Sequence, residues 1–133
     1  MYKSATYKII GLMFLSLCSF TIKSQDTINS TVVEKDTYTY YLQRDWSNLI
    51  TLANKALKQN IDYYYLRVRL GIAYYNQKKY ANAILHFQEA RKQNSAEKLS
   101  LEYLYYALLK MERYDEAEYL TKQFDEELNL QLF

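Results

Sequence analysis

Apolar side chains in the middle of the chain recur at helical spacing. Tyr80, Ala83, Ile84, Phe87 and Ala90 fall on one stripe of a helix, and Leu70 and Tyr74, four residues apart, share a face of the helix before it. The same layout returns on either side, as Trp46, Leu49, Ala53 and Ala56 earlier and as Leu104, Leu108, Tyr114 and Ala117 later. Trp46, Tyr80 and Tyr114 stand 34 residues apart, each preceded by a charged pair (Arg44-Asp45, Lys78-Lys79, Glu112-Arg113) and followed by helix-forming residues. Leu70-Gly71-Ile72-Ala73-Tyr74-Tyr75 and Leu104-Tyr105-Tyr106-Ala107-Leu108-Leu109 repeat at the same interval. A constant period of this size predicts a stacked helix–turn–helix unit, used about three times. Ser95, and Asn60 or Asp62, are the expected N-caps of the helices that open the later units.

The middle unit resembles the tetratricopeptide repeat family. That family's succession of Leu-Gly, Tyr, Ala, Phe and Ala across two helices stands here as Leu70-Gly71, Tyr74, Ala83, Phe87 and Ala90, with Tyr80 opening the second helix. Arg67 replaces the usual tryptophan and Ser95 the usual closing proline. The later unit keeps Leu104, Leu108, Tyr114 and Ala117 but has Tyr105 where glycine is expected; the earlier one keeps Trp46, Leu49, Ala53 and Ala56 behind a less typical leading helix. The resemblance implies an all-α, right-handed α-α superhelix with repeats at about 30–60, 64–95 and 97–128, in which the first helix of each repeat lines a concave groove. Trp46, Leu70, Gly71, Tyr74, Tyr80, Ala83, Phe87, Ala90, Leu104, Tyr114 and Ala117 would then form the repeat-defining core. Gly71, lacking a Cβ, lets its two helices approach closely. Thr37 and Tyr105 at the equivalent positions predict wider spacing in the outer repeats.

Composition agrees with the helical reading. The 133 residues contain no proline and two glycines, and Gly71 is the only glycine after residue 11. Turn-rich sandwiches and barrels are thereby disfavoured. Lys3 and Lys8 precede an apolar run, Ile9-Ile10-Gly11-Leu12-Met13-Phe14-Leu15-Ser16-Leu17, and a cut after Ser24 fits a cleavable signal peptide over 1–24. The repeat domain then occupies 25–133, and the expected destination is the periplasm or cell envelope. Cys18, the sole cysteine, leaves lipidation as an alternative, although Leu17 stands where such signals carry a small residue. Without Lys3, Lys8 and Lys23, fourteen basic residues face fifteen acidic ones, a net charge of −1 that gives no electrostatic case for nucleic acid.

Candidate chemistry is sparse. His86, the one histidine, is expected on the outer side of its helix, without the partners an active site needs. The acidic groups Glu116/Glu118 and Asp125-Glu126-Glu127 read as solvated helix faces, and no metal or cofactor site is expected. Tyrosine is the unusual residue: sixteen in all, fourteen of them after Gln25. The resemblance places Tyr38, Tyr41, Tyr65, Arg69, Ile72, Tyr75, Asn76, Tyr103, Tyr106 and Lys110 in the concave groove, with Arg69 and Lys110 available to an anionic group. Tyrosine suits recognition because it offers apolar area and a hydroxyl at little rotamer cost. Such rings also fill gaps between repeats, and both uses stay open for each one. The expected function is a non-catalytic scaffold that binds a partner peptide or helix. The ending Leu128-Asn129-Leu130-Gln131-Leu132-Phe133 supports an alternative, a structural part docking through its final face into an envelope assembly or its own copy, or the amino-terminal portion of an outer-membrane protein.

Overall fold

The computed structural model describes residues 28–124. The expected signal peptide, Cys18 and the apolar ending lie outside them. Six helices follow one another: α1 (Ser30–Gln43), α2 (Trp46–Lys58), α3 (Tyr64–Asn76), α4 (Tyr80–Gln93), α5 (Lys98–Lys110) and α6 (Tyr114–Thr121). Trp46, Tyr80 and Tyr114 are each the first residue of the second helix of a pair, so the 34-residue interval is a structural period.

The turns inside the three pairs share one backbone solution. Arg44, Lys78 and Glu112, one period apart, all adopt left-handed conformations, with φ of 56°, 58° and 57°. In the middle turn the Lys79 N–H donates to the Tyr74 carbonyl at 2.9 Å and the Lys78 N–H to the Tyr75 carbonyl at 2.9 Å. The same two bonds recur as Asp45 to Tyr40 with Arg44 to Tyr41, and as Arg113 to Leu108 with Glu112 to Leu109. This is the Schellman closure of a helix C-terminus, achieved three times without its usual glycine. Asn60, φ 61°, closes α2 in the same way.

Capping at the other ends departs from expectation. Asn29 accepts from the Thr31 N–H at 2.7 Å and Asp45 from the Asn48 N–H at 3.2 Å, as good N-caps do. α3 and α5 instead have Tyr63 and Glu97 at the cap position, and neither gives a side-chain cap. Asn60 is taken by the C-terminus of α2, Asp62 by Arg67, and Ser95 lies two residues before the cap position Glu97.

α3 is the centre of the stack. Leu66, Leu70 and Ala73 pack with Val33 of α1 and Leu49, Ala53 and Ala56 of α2. Val68 and Ile72, on another face, pack with Ala83, Ile84, Phe87 and Ala90 of α4 and with Leu101, Leu104, Ala107, Leu108, Ala117 and Leu120 of α5 and α6. A helix carrying two apolar faces has no polar side, which is why seven consecutive or near-consecutive residues, Leu66 and Val68 through Ala73, are buried. Leu70 therefore faces the first repeat; it is Gly71 that meets Phe87 of α4. Each fully buried leucine contributes about 1.5–3 kcal/mol.

The α3–α4 pair is the most extensively packed of the described helix pairs. In the first pair, Thr37 fills the equivalent of Gly71 and is fully buried, its hydroxyl donating back to the Val33 carbonyl at 2.7 Å. In the last pair, Tyr105 fills it and packs edge-on against Phe124, with ring centroids 5.3 Å apart.

Candidate functional site

Aromatic rings connect the C-terminal ends of the leading helices to the turns that follow. Tyr41 meets Trp46 edge-on at 6.2 Å, and one period later Tyr75 meets Tyr80 edge-on at 5.3 Å. Tyr75 also meets Tyr103 of α5 edge-on at 5.7 Å, and Tyr103 stacks on Phe87 at 5.6 Å. Burial raises the phenols of Tyr75 and Tyr103 above their ordinary value, so both stay neutral donors at physiological pH.

These contacts shape a cleft of about 340 Å³, lined by Tyr41, Leu42, Arg44, Trp46, Ile72, Asn76 and Tyr103. Its size falls within the range of ordinary ligand sites. Tyr41, Ile72, Asn76 and Tyr103 belong to the groove expected from sequence. Leu42 and Arg44 do not, and Trp46 was expected only as core. Two signals point to them: the five-residue step from Tyr41 to Trp46, repeated from Tyr75 to Tyr80, and the exposed turn position of Arg44 between them. Asn76 is exposed and donates its amide to the Ile72 carbonyl at 2.9 Å. Ile72 is 2% exposed, so it supplies the floor of the cleft and little of its accessible surface.

Arg69 is not available to an anionic partner. Its Nη2 pairs with the Glu34 carboxylate at 2.7 Å, its Nη1 donates to the Thr37 hydroxyl at 3.2 Å, and its guanidinium lies between the rings of Tyr38 and Tyr65, 5.2 and 5.9 Å from their centroids. Arg69 in turn holds the Glu34 carboxyl below the usual range. These five residues clasp α1 to α3, while Tyr38 and Tyr65 keep about half their surface exposed. Tyr106 is partly buried beside Tyr105, and Lys110 is exposed on the last turn of α5; neither lines the cleft.

Two further expectations are corrected. Tyr114 is 61% exposed and not core. The equivalent residues Trp46 and Tyr80 pack against Tyr41 and Tyr75, whereas Tyr114 has Leu109 at that step, and among the described residues no helix follows α6 to cover it. His86 is not an outer bystander. Its ring stacks on Tyr74, 5.4 Å away and 3° from parallel, and its Nδ1 lies 3.1 Å from Arg67 Nη1. Arg67, the replacement for tryptophan, donates to Asp62 at 2.8 Å, and Asn54 donates to the Tyr74 hydroxyl at 3.1 Å. Burial, helped by the Arg67 charge, pushes the imidazole down to about 4, so it is neutral near pH 7 and Nδ1 accepts from the guanidinium.

No protein-family model matches the chain, and no curated protein matches it. Among solved structures, a mutant form of MamA, a tetratricopeptide-containing protein, aligns with a TM-score of 0.67 at 23% identity, over 74% of this chain and 72% of that one. The fold is a tetratricopeptide-like helical repeat. The clasp, the cleft and the His86 stack therefore sit at junctions of a helical-repeat solenoid. Among the described residues of this solenoid, no group of three or more His, Cys, Asp or Glu side chains is gathered as a metal site would require.

Proposed function

We propose that the chain is an exported member of the tetratricopeptide family that acts as a non-catalytic scaffold, holding a segment of a partner protein in its tyrosine-lined concave cleft. The observation that carries this reading is the cleft itself, where side chains from the ends of α1 and α3, the start of α2 and the middle of α5 converge. Aromatic walls with a few placed polar groups are the usual make-up of a recognition site. Buried Arg69, in contrast, is engaged in holding α3 to α1 through Glu34 and Thr37. Export rests on Lys3, Lys8 and the apolar run to Leu17.

Leu42 and Leu85 are equally exposed, at 61% and 60%, but only Leu42 lines the cleft. A photo-crosslinking residue at each position compares the two surfaces directly. The partner is expected to crosslink from position 42 and not from 85. The reverse outcome would place binding on the outer helices.

A second reading follows from Tyr114 and Tyr119, which are 61% and 63% exposed on α6. Docking through this last helix would make the chain a structural part of a larger assembly. Tyr114→Ser with Tyr119→Ser would then abolish assembly while leaving crosslinking from position 42 intact.

A further inference from the structure

The arginines of the described residues differ in what they hold. Arg67 is bonded to Asp62, Arg69 to Glu34 and Arg113 to Glu116, while Arg91 donates to the amide oxygen of Gln123. Arg44 is exposed at the mouth of the cleft, and among the described residues its guanidinium has neither an ion pair nor a side-chain hydrogen bond. The turn does not require a cation there. Lys78 and Glu112 occupy the same backbone conformation one and two periods later, so both signs of charge are accepted. Among the described residues no carboxylate lines the cleft. The nearest in sequence, Asp45, is engaged with Asn48, accepting from its backbone N–H at 3.2 Å and its side-chain amide at 2.7 Å.

We propose that the cleft takes an extended acidic peptide segment, with a carboxylate seated on Arg44 and a neighbouring large apolar side chain laid against Trp46 and Tyr41. The inference rests on the scaffold reading above. A free guanidinium beside aromatic walls offers a carboxylate a charge-assisted bond, and the adjoining ring surface rewards burial of an apolar group. The amide oxygen of Asn76 and the hydroxyls of Tyr41 and Tyr103 are partners for the polar backbone of such a segment. A nucleic-acid strand would need a run of cations along its backbone, and this lining supplies one.

The test is selection of a randomised dodecapeptide library displayed on phage, in parallel against the wild-type protein and an Arg44→Asn variant. Asparagine tolerates the left-handed turn, so circular dichroism should be unchanged. Wild-type selection is expected to enrich peptides with Asp or Glu within two positions of a large apolar residue, and selection on Arg44→Asn to lose the acidic preference. The most enriched synthetic peptide should shift the emission of Trp46, the only tryptophan, and should bind Arg44→Asn about tenfold or more weakly. Neutral or basic winners, or winners equally strong on the variant, overturn the acidic assignment and leave the scaffold reading standing. Enriched peptides that leave Trp46 emission unmoved overturn the placement in this cleft. If no peptide is enriched at all, peptide binding by the scaffold falls as well.

Discussion

Gly71 lies against the ring of Phe87 so closely that a Cβ added to it would fall 2.5 Å from Cε1. The ring cannot retreat freely, because Phe87 is fully buried and stacked on Tyr103. Gly71→Ala is therefore expected to destabilise the protein by about 1–3 kcal/mol, the range of an overpacked core, read as a lower midpoint in urea unfolding. Phe87→Leu in the same chain should recover part of that loss. Strict additivity of the two changes would mean that the contact is not what limits helix approach.

Leu70, one residue earlier, reports on the other core. It is fully buried among Leu49, Ala53, Leu66 and Val33. Leu70→Ala should cost about 2–5 kcal/mol, a large fraction of the stability of a small domain. Because Leu70 faces the first repeat, hydrogen exchange should rise first in α1 and α2. Faster exchange confined to α4 and α5 would place Leu70 on the wrong side of α3.

The period, the helices and the tight middle crossing were legible because each depends on local spacing or on a single missing Cβ. The long-range partners were not. Arg69 occupies a groove-side helix position, and nothing near it in the chain announces that Glu34, 35 residues earlier, takes its charge. Tyr114 matches Tyr80 in sequence, yet its burial depends on what packs over it, which no residue at its own turn encodes. Arg44 lines the cleft from a left-handed turn beside Trp46, a placement that the charged pair Arg44-Asp45 ahead of Trp46 does not reveal by itself.

The left-handed turns carry strain that glycine would relieve. An L-residue in this region costs about 1–2 kcal/mol, and glycine's larger entropy loss on folding takes back part of any gain. Lys78 is exposed and its φ is 58°. Lys78→Gly is accordingly expected to raise stability by about 0.5–1 kcal/mol in thermal or urea unfolding. The same change at Asn82, exposed inside α4, should lower it, because glycine in a helix interior costs about 0.5–1 kcal/mol. Equal effects at the two positions would remove strain from the account of these turns.

The His86 stack predicts a pH dependence of definite sign. Burial first, and the neighbouring Arg67 charge second, hold the imidazole at about 4, below its ordinary 6.5. Between those values the unfolded chain binds a proton that the folded chain refuses, so stability falls as pH falls from 6.5 and the effect saturates below about 4. The carboxyls of Glu34 and Asp62 are held low by Arg69 and Arg67, so they remain ionised in the fold at pH 5 and their own contributions are lost only at lower pH. A comparison of pH 7 with pH 5 thus isolates the imidazole. The ring is partly exposed, so the loss at pH 5 should be on the order of 1 kcal/mol after allowing for solvent screening. In a domain of this size that is about 4–8 °C in Tm. His86→Phe keeps a ring against Tyr74 and has nothing to protonate; its Tm should be nearly the same at both pH values. A wild-type Tm that stays level from pH 7 to 5, or a variant that falls as steeply, would show that the His86 ring does not govern stability in this window.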